Sequence, residues 1–181
     1  MFISRNLREQ NIAEYLLYMW QVEDLLRAHA LDLDSVVAHV VAQYQLDERQ
    51  RAELTEWYAN LIEMMKLEGV EKEGHLQINR NVIVELNDLH VRLMHSTKCP
   101  YYQTAYYNVL PAIVEIRSKS HTQHESELEN CFDTLYGVWM LKLQHKPLND
   151  DTIKAVADMT TFVGMLNDYY MKDRTGELDL E

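Results

Sequence analysis

Glycine and proline are scarce in this 181-residue chain, at 5 and 3 residues. Tight turns, bulges and hairpins draw on both, so an all-β fold is disfavoured. Cysteine is scarcer still: Cys99 and Cys131 lie far apart and form no paired motif. A reduced, cytoplasmic protein is expected rather than a disulfide-built secreted one. No apolar run ahead of a small-residue cleavage site marks a secretory signal near Met1. The run Tyr15–Trp20 is too short, and too soon followed by Glu23 and Asp24, to cross a bilayer. No Lys/Arg cluster offsets the net charge of −12, from 17 basic and 29 acidic residues. Nucleic-acid binding needs a basic footprint and is not expected. The acidic surplus favours solubility.

Recognised catalytic patterns are missing too. There is no Gly-rich phosphate loop, no dinucleotide fingerprint and no His-Glu-x-x-His zinc helix. A ferritin-like di-iron site needs Glu-x-x-His on two helices, and none of the eight histidines has Glu three residues before it. No cofactor is expected.

What is present is helical patterning, in a composition (47% hydrophobic, 25% charged) ordinary for a globular chain. Seven helical segments can be read. The first runs from about Asn6 to His29, with Ile12, Leu16, Met19, Leu26 and Ala30 on its main stripe and Leu17, Tyr18 and Leu25 widening the apolar surface. A helix apolar on most sides is usually buried, so this one is placed at the centre of the fold. Asp34 reads as the N-cap of a second segment, Ser35–Gln45. Asp47 and Gln50 form a capping-box pattern for a third, whose stripe is Leu54, Trp57, Tyr58, Leu61 and Met65. The fourth covers about Leu76–Ser96. The fifth, Tyr101–Ser118, contains Pro111, and the sixth covers about Gln123–His145. Asn149, Asp150 or Asp151 caps the last, which reaches about Lys172.

Glu23 falls on the first segment's stripe, between Met19 and Leu26. An unpaired buried carboxylate is costly, so a partner is expected. Arg27 stands one turn on; His90 or a tyrosine hydroxyl are the other candidates. Tyr101, Tyr102, Tyr106 and Tyr107 cluster before Pro111, and aromatic clusters form core, interfaces or pockets. Glu53-x-x-Glu56 and Glu85-x-x-Asp88 match the paired carboxylates with which all-helical nucleotide pyrophosphohydrolases hold magnesium. Glu56 and Asp88 point away from their apolar faces, however, which favours a solvated surface. His121, His124 and Glu125 have ligand spacing in a polar helix start and read as a solvated terminus. Ala157, Thr160 and Gly164 form a small-residue strip that would let another helix approach, inside the chain or across a dimer.

The stretch Asn11-Ile12-Ala13-Glu14-Tyr15-Leu16-Leu17-Tyr18-Met19-Trp20-Gln21-Val22-Glu23-Asp24 resembles the start of an uncharacterised family of small helical proteins from Bacteroidetes, a domain of unknown function. The resemblance implies a bacterial, cytoplasmic, single-domain protein. It brings no catalytic residue to carry over.

The expected architecture is all-α. It is a single-domain helical bundle of about six to seven helices over residues 1–172, with an acidic, disordered tail over 173–181. The sequence names no function. It favours a non-enzymatic helical interaction or homo-oligomeric protein, a homodimer through Ala157, Thr160 and Gly164, with an unknown protein partner as a further option. One alternative is a metal-dependent nucleotide phosphohydrolase using Glu53, Glu56, Glu85 and Asp88. The other is a small-ligand binder with a pocket beside helix one, drawing on Glu23, Arg27, His90, Tyr102 and Tyr106.

Overall fold

Asn11 divides what the sequence reads as one opening helix. The computed structural model describes residues 1–119 and 126–180, and there α1 spans Phe2–Gln10 while α2 spans Ile12–Ala28. The Ile12 N–H bonds the Asn167 side chain at 2.9 Å instead of a carbonyl one turn back, so the helical ladder is interrupted. No proline or glycine marks that break. Six more helices follow among the described residues: α3 Leu33–His39, α4 Glu48–Leu67, α5 Gln77–His95, α6 Pro100–Lys119, α7 Glu127–Leu143 and α8 Asp150–Thr175. No strand occurs among those residues, and the fold is all-α. Among the described residues, no helix is long and apolar enough to cross a membrane.

Local capping explains several boundaries. The Asp47–Gln50 capping box forms as read, and Ser126 with Glu129 forms a second at the start of α7. Asn149 caps α8, and Gly176 ends it in the left-handed conformation. Asp32, not Asp34, caps α3, accepting from the N–H groups of Asp34 and Ser35. A 3₁₀ turn over Val41–Gln43 completes the segment read as one longer helix. Ala30, read as part of the first apolar stripe, lies beyond α2 and is exposed.

The chain forms two compact units. Unit 1 comprises Met1–Gln10 and Glu14–Asn81; unit 2 comprises Asn11–Ala13 and the described residues from Val82 onward. In unit 1, Leu16, Met19, Trp20 and Leu26 of α2 are buried, as are Val36 of α3 and Leu54, Tyr58, Leu61 and Met65 of α4. Each such aliphatic side chain contributes about 1.5–3 kcal/mol of hydrophobic stabilisation. In unit 2, α6 and α7 both pack on α8, burying Tyr102, Val109, Ile113, Phe132, Met159, Phe162 and Leu166. Residues 177–180, within the stretch expected to fray, meet the end of α5. The Ser96 hydroxyl bonds the Leu180 carbonyl at 3.1 Å, and Lys98 pairs with Asp179 at 2.6 Å.

Candidate functional site

Glu23 is fully buried, 0% exposed, as its place on the stripe requires. Its partner is not Arg27. The carboxylate accepts from His75 Nδ1 at 2.6 Å, from the Leu76 N–H at 3.0 Å and from Asn79 Nδ2 at 2.7 Å. The location explains the set. Helix α5 opens with Leu76 where a capping Ser, Thr, Asp or Asn would stand, so its free N–H groups need acceptors from elsewhere. Glu23 supplies one and Glu68 another, taking the Gln77 N–H at 2.6 Å. Both carboxylates sit where the helix dipole is positive. The Tyr15 hydroxyl bonds Asn79 Oδ1 at 3.3 Å, and the Trp20 ring stacks on His75 at 4.1 Å. Arg27 holds the connecting segment instead: it bonds Asp24 and donates to the carbonyls of Val70 and Gly74. Gly74 there has φ +83, a conformation suited to glycine. Glu23 and Arg27 thus fasten the α4–α5 connection to α2.

His90, Tyr102 and Tyr106 belong to unit 2 and form an aromatic cluster around Phe162. His90 Nδ1 lies 2.7 Å from the Tyr102 hydroxyl. The Tyr106 hydroxyl donates to Glu127 at 2.6 Å, and Arg117 bonds Asn130 at 2.6 Å. Burial pushes Tyr102 well above the usual phenol range. Burial and then the Glu127 hydrogen bond push Tyr106 up to about 12. The cluster therefore stays neutral in its phenols and serves as a polar-edged core. Tyr101 and Tyr107 of the same sequence cluster are exposed.

Burial lowers the His90 pKa below 6.5, against a smaller opposing effect from Glu127. The unfolded chain then binds more protons than the folded one as pH drops below about 6.5. His90 is expected to cost stability on acidification through that range and to contribute no slope above it. Urea midpoints for wild type and His90→Asn, compared between pH 7.5 and 5.5, check this: the variant should lose part of the acid-side decline.

The four motif carboxylates are occupied or solvated. Glu53 accepts from Arg49 at 2.9 Å, and Glu85 accepts from the Tyr170 hydroxyl at 2.9 Å. Glu56 and Asp88 are exposed. Among the described residues, no group of three or more His, Cys, Asp or Glu is placed to hold a metal ion. His121, His124 and Glu125 lie outside the described residues. An open cleft of about 600 Å³ lies in unit 2 between Arg92, His95 and Ser96 and residues 178–180, but Asp173 already holds the Arg92 guanidinium through two 2.8 Å bonds.

The small-residue strip is on the surface. Ala157, Thr160 and Gly164 of α8 are all exposed, and a Cβ at Gly164 would meet nothing within 4 Å. Ile153, 51% exposed, begins the same face, and Thr161 and Asp168 continue it. At about 100° per residue these positions span an arc of about 100°. The hydroxyls of Thr160 and Thr161 donate back to the carbonyls of Val156 and Ala157, at 2.7 and 3.0 Å, so docking here leaves no hydroxyl donor stranded.

No solved structure matches the chain. Residues 1–177 match the family described as Domain of unknown function (DUF4924). That match covers nearly the whole sequence, and the chain belongs to this family.

Proposed function

We propose that the protein is a non-enzymatic helical interaction protein that self-associates as a two-fold dimer through α8. The observation that carries this reading is the exposed face Ile153–Ala157–Thr160–Thr161–Gly164–Asp168, low in relief and open along four turns of the longest helix. A second copy fits it because the face is self-complementary, as an isologous contact requires. Two α8 helices crossing antiparallel near Thr160 and Thr161 set Ala157 of one against Gly164 of the other. The same register brings Lys154 beside the partner's Asp168, twice by symmetry. Both residues are exposed and make no ion pair among the described residues. A bacterial, cytoplasmic setting suits the two buried free cysteines, and a single cooperative domain suits helices α2 and α5, whose residues fall in both units.

Sedimentation equilibrium at micromolar concentration and about 0.15 M salt is expected to give twice the 21.4 kDa chain mass. Lys154→Glu and Asp168→Lys should each weaken association about tenfold, and the double variant should restore it. Gly164→Leu separates packing from folding. Leucine is about 0.8 kcal/mol better than glycine in an exposed helix, so the variant should melt no lower yet sediment as a monomer. A wild-type species of single-chain mass would reject the dimer.

A further inference from the structure

We infer that residues 177–180 form a strap on unit 2, one that closes by charge over the end of α5 and opens without disturbing the helices. Its hinge is built into the end of α8. Gly176 takes φ +72, and the N–H groups of Gly176 and Glu177 bond the Asp173 and Lys172 carbonyls at 3.1 and 2.9 Å. These bonds finish the helix before the strap begins. Arg92 of α5 holds Asp173 in a fork of two 2.8 Å bonds, so the end of α8 keeps its place when the strap moves.

Past the hinge, backbone pairing is thin. The amides of Leu178 and Leu180 bond no backbone carbonyl among the described residues. Side chains of the α5–α6 connection hold the strap instead. Lys98 Nζ meets Asp179 at 2.6 Å, with the two side chains 43% and 76% exposed. The Ser96 hydroxyl, itself buried, accepts from the Lys98 N–H at 3.2 Å and donates to the Leu180 carbonyl at 3.1 Å. An exposed ion pair biases a conformational equilibrium by about fivefold at most, and Leu178 and Leu180 are only half-buried. Segments tied down this lightly open separately from the fold around them. Opening has a consequence. Leu178, Asp179 and Leu180 form one wall of the cleft of about 600 Å³, facing Arg92, His95 and Ser96. The strap therefore sets access to that end of α5 and to the Lys98 ammonium that Asp179 engages. It lies beyond the Ile153–Asp168 face and does not depend on the dimer.

Amide ¹⁵N relaxation and chemical shifts of the full wild-type chain, followed from about 0.02 M to about 1 M KCl, test the device. The screening length shortens to about 3 Å at about 1 M salt. The ion pair should then weaken, and the order parameters of residues 178–180 should fall from about 0.85 toward about 0.6. The amides of Ser96 and Lys98 should shift along the same course, while those of buried Leu86 and Leu89 in α5 stay in place. Lys98→Gln and Asp179→Asn should each raise the open-to-closed ratio by up to about fivefold at low salt. The charge exchange Lys98→Asp with Asp179→Lys should restore closure. Neither single variant should lower the melting temperature. A strap that stays rigid at about 1 M salt and in both single variants, or one already flexible at about 0.02 M, would overturn the inference. So would a fall in melting temperature that tracks the loss of order, because residues 177–180 would then belong to the cooperative core.

Discussion

Replacing Glu23 with alanine is expected to destabilise the protein by about 3–5 kcal/mol, the range for removing one partner of a buried charged network. The change strands the Leu76 N–H and the Asn79 amide, deprives His75 of its acceptor, and leaves α5 without one of its two supplied caps. Glu23→Gln should lose much less, about 1–2 kcal/mol, because a carbonyl oxygen can still take the Leu76 and Asn79 hydrogens. Glu68→Ala should lose about 1 kcal/mol, since its bond to the Gln77 N–H is at the surface. Urea denaturation followed by circular dichroism checks the order. Equal losses in Glu23→Ala and Glu68→Ala would show that Glu23 does not organise the start of α5.

Phe162→Ala is the second large effect. The ring is 0% exposed and touches His90, Tyr102 and Tyr106. Emptying that volume should cost about 3–5 kcal/mol, while Phe162→Leu, which keeps most of it, should cost about 1.5 kcal/mol or less. A titration should change as well. Burial holds the His90 pKa down, so water admitted by Phe162→Ala should let it rise toward 6.5. Histidine Cε1–H chemical shifts followed against pH read this directly, and an unmoved His90 midpoint would contradict the desolvation account.

How far these features were legible in the sequence depends on whether their cause is local. The Asp47–Gln50 box lies within four residues and was readable. The burial of Glu23 was readable as well, because helical period alone places it between Met19 and Leu26. Its partners were not: His75 and Asn79 stand 52 and 56 positions away, in a connection and a first helical turn that carry no periodic signal. Arg27 had the right spacing for an ion pair, yet the Val70 and Gly74 carbonyls and Asp24 take its guanidinium. The break at Asn11 escaped for a similar reason, since the acceptor that opens the ladder is Asn167. The small residues of α8 were visible as a strip, and only the structure shows that this strip faces outward. The turn at Ala30 and Leu31, both with φ +53, had no glycine to announce it.

Spin labels on α8 test self-association in the proposed geometry most directly. Cys99 and Cys131 are buried, and burial pushes the Cys131 thiol up to about 12, so labelling falls on an introduced surface cysteine. Asp158→Cys lies beside the face and within one turn of the two-fold axis, where helix axes about 8–10 Å apart should hold the two labels within about 20 Å without a label in the contact. Asp151→Cys lies seven residues farther out, and a rise of 1.5 Å per residue should carry its labels about 30 Å or more apart in an antiparallel pair. Double electron–electron resonance is expected to return that short and long pair of distances. No dipolar coupling at either position, or short distances at both, would contradict the α8 dimer.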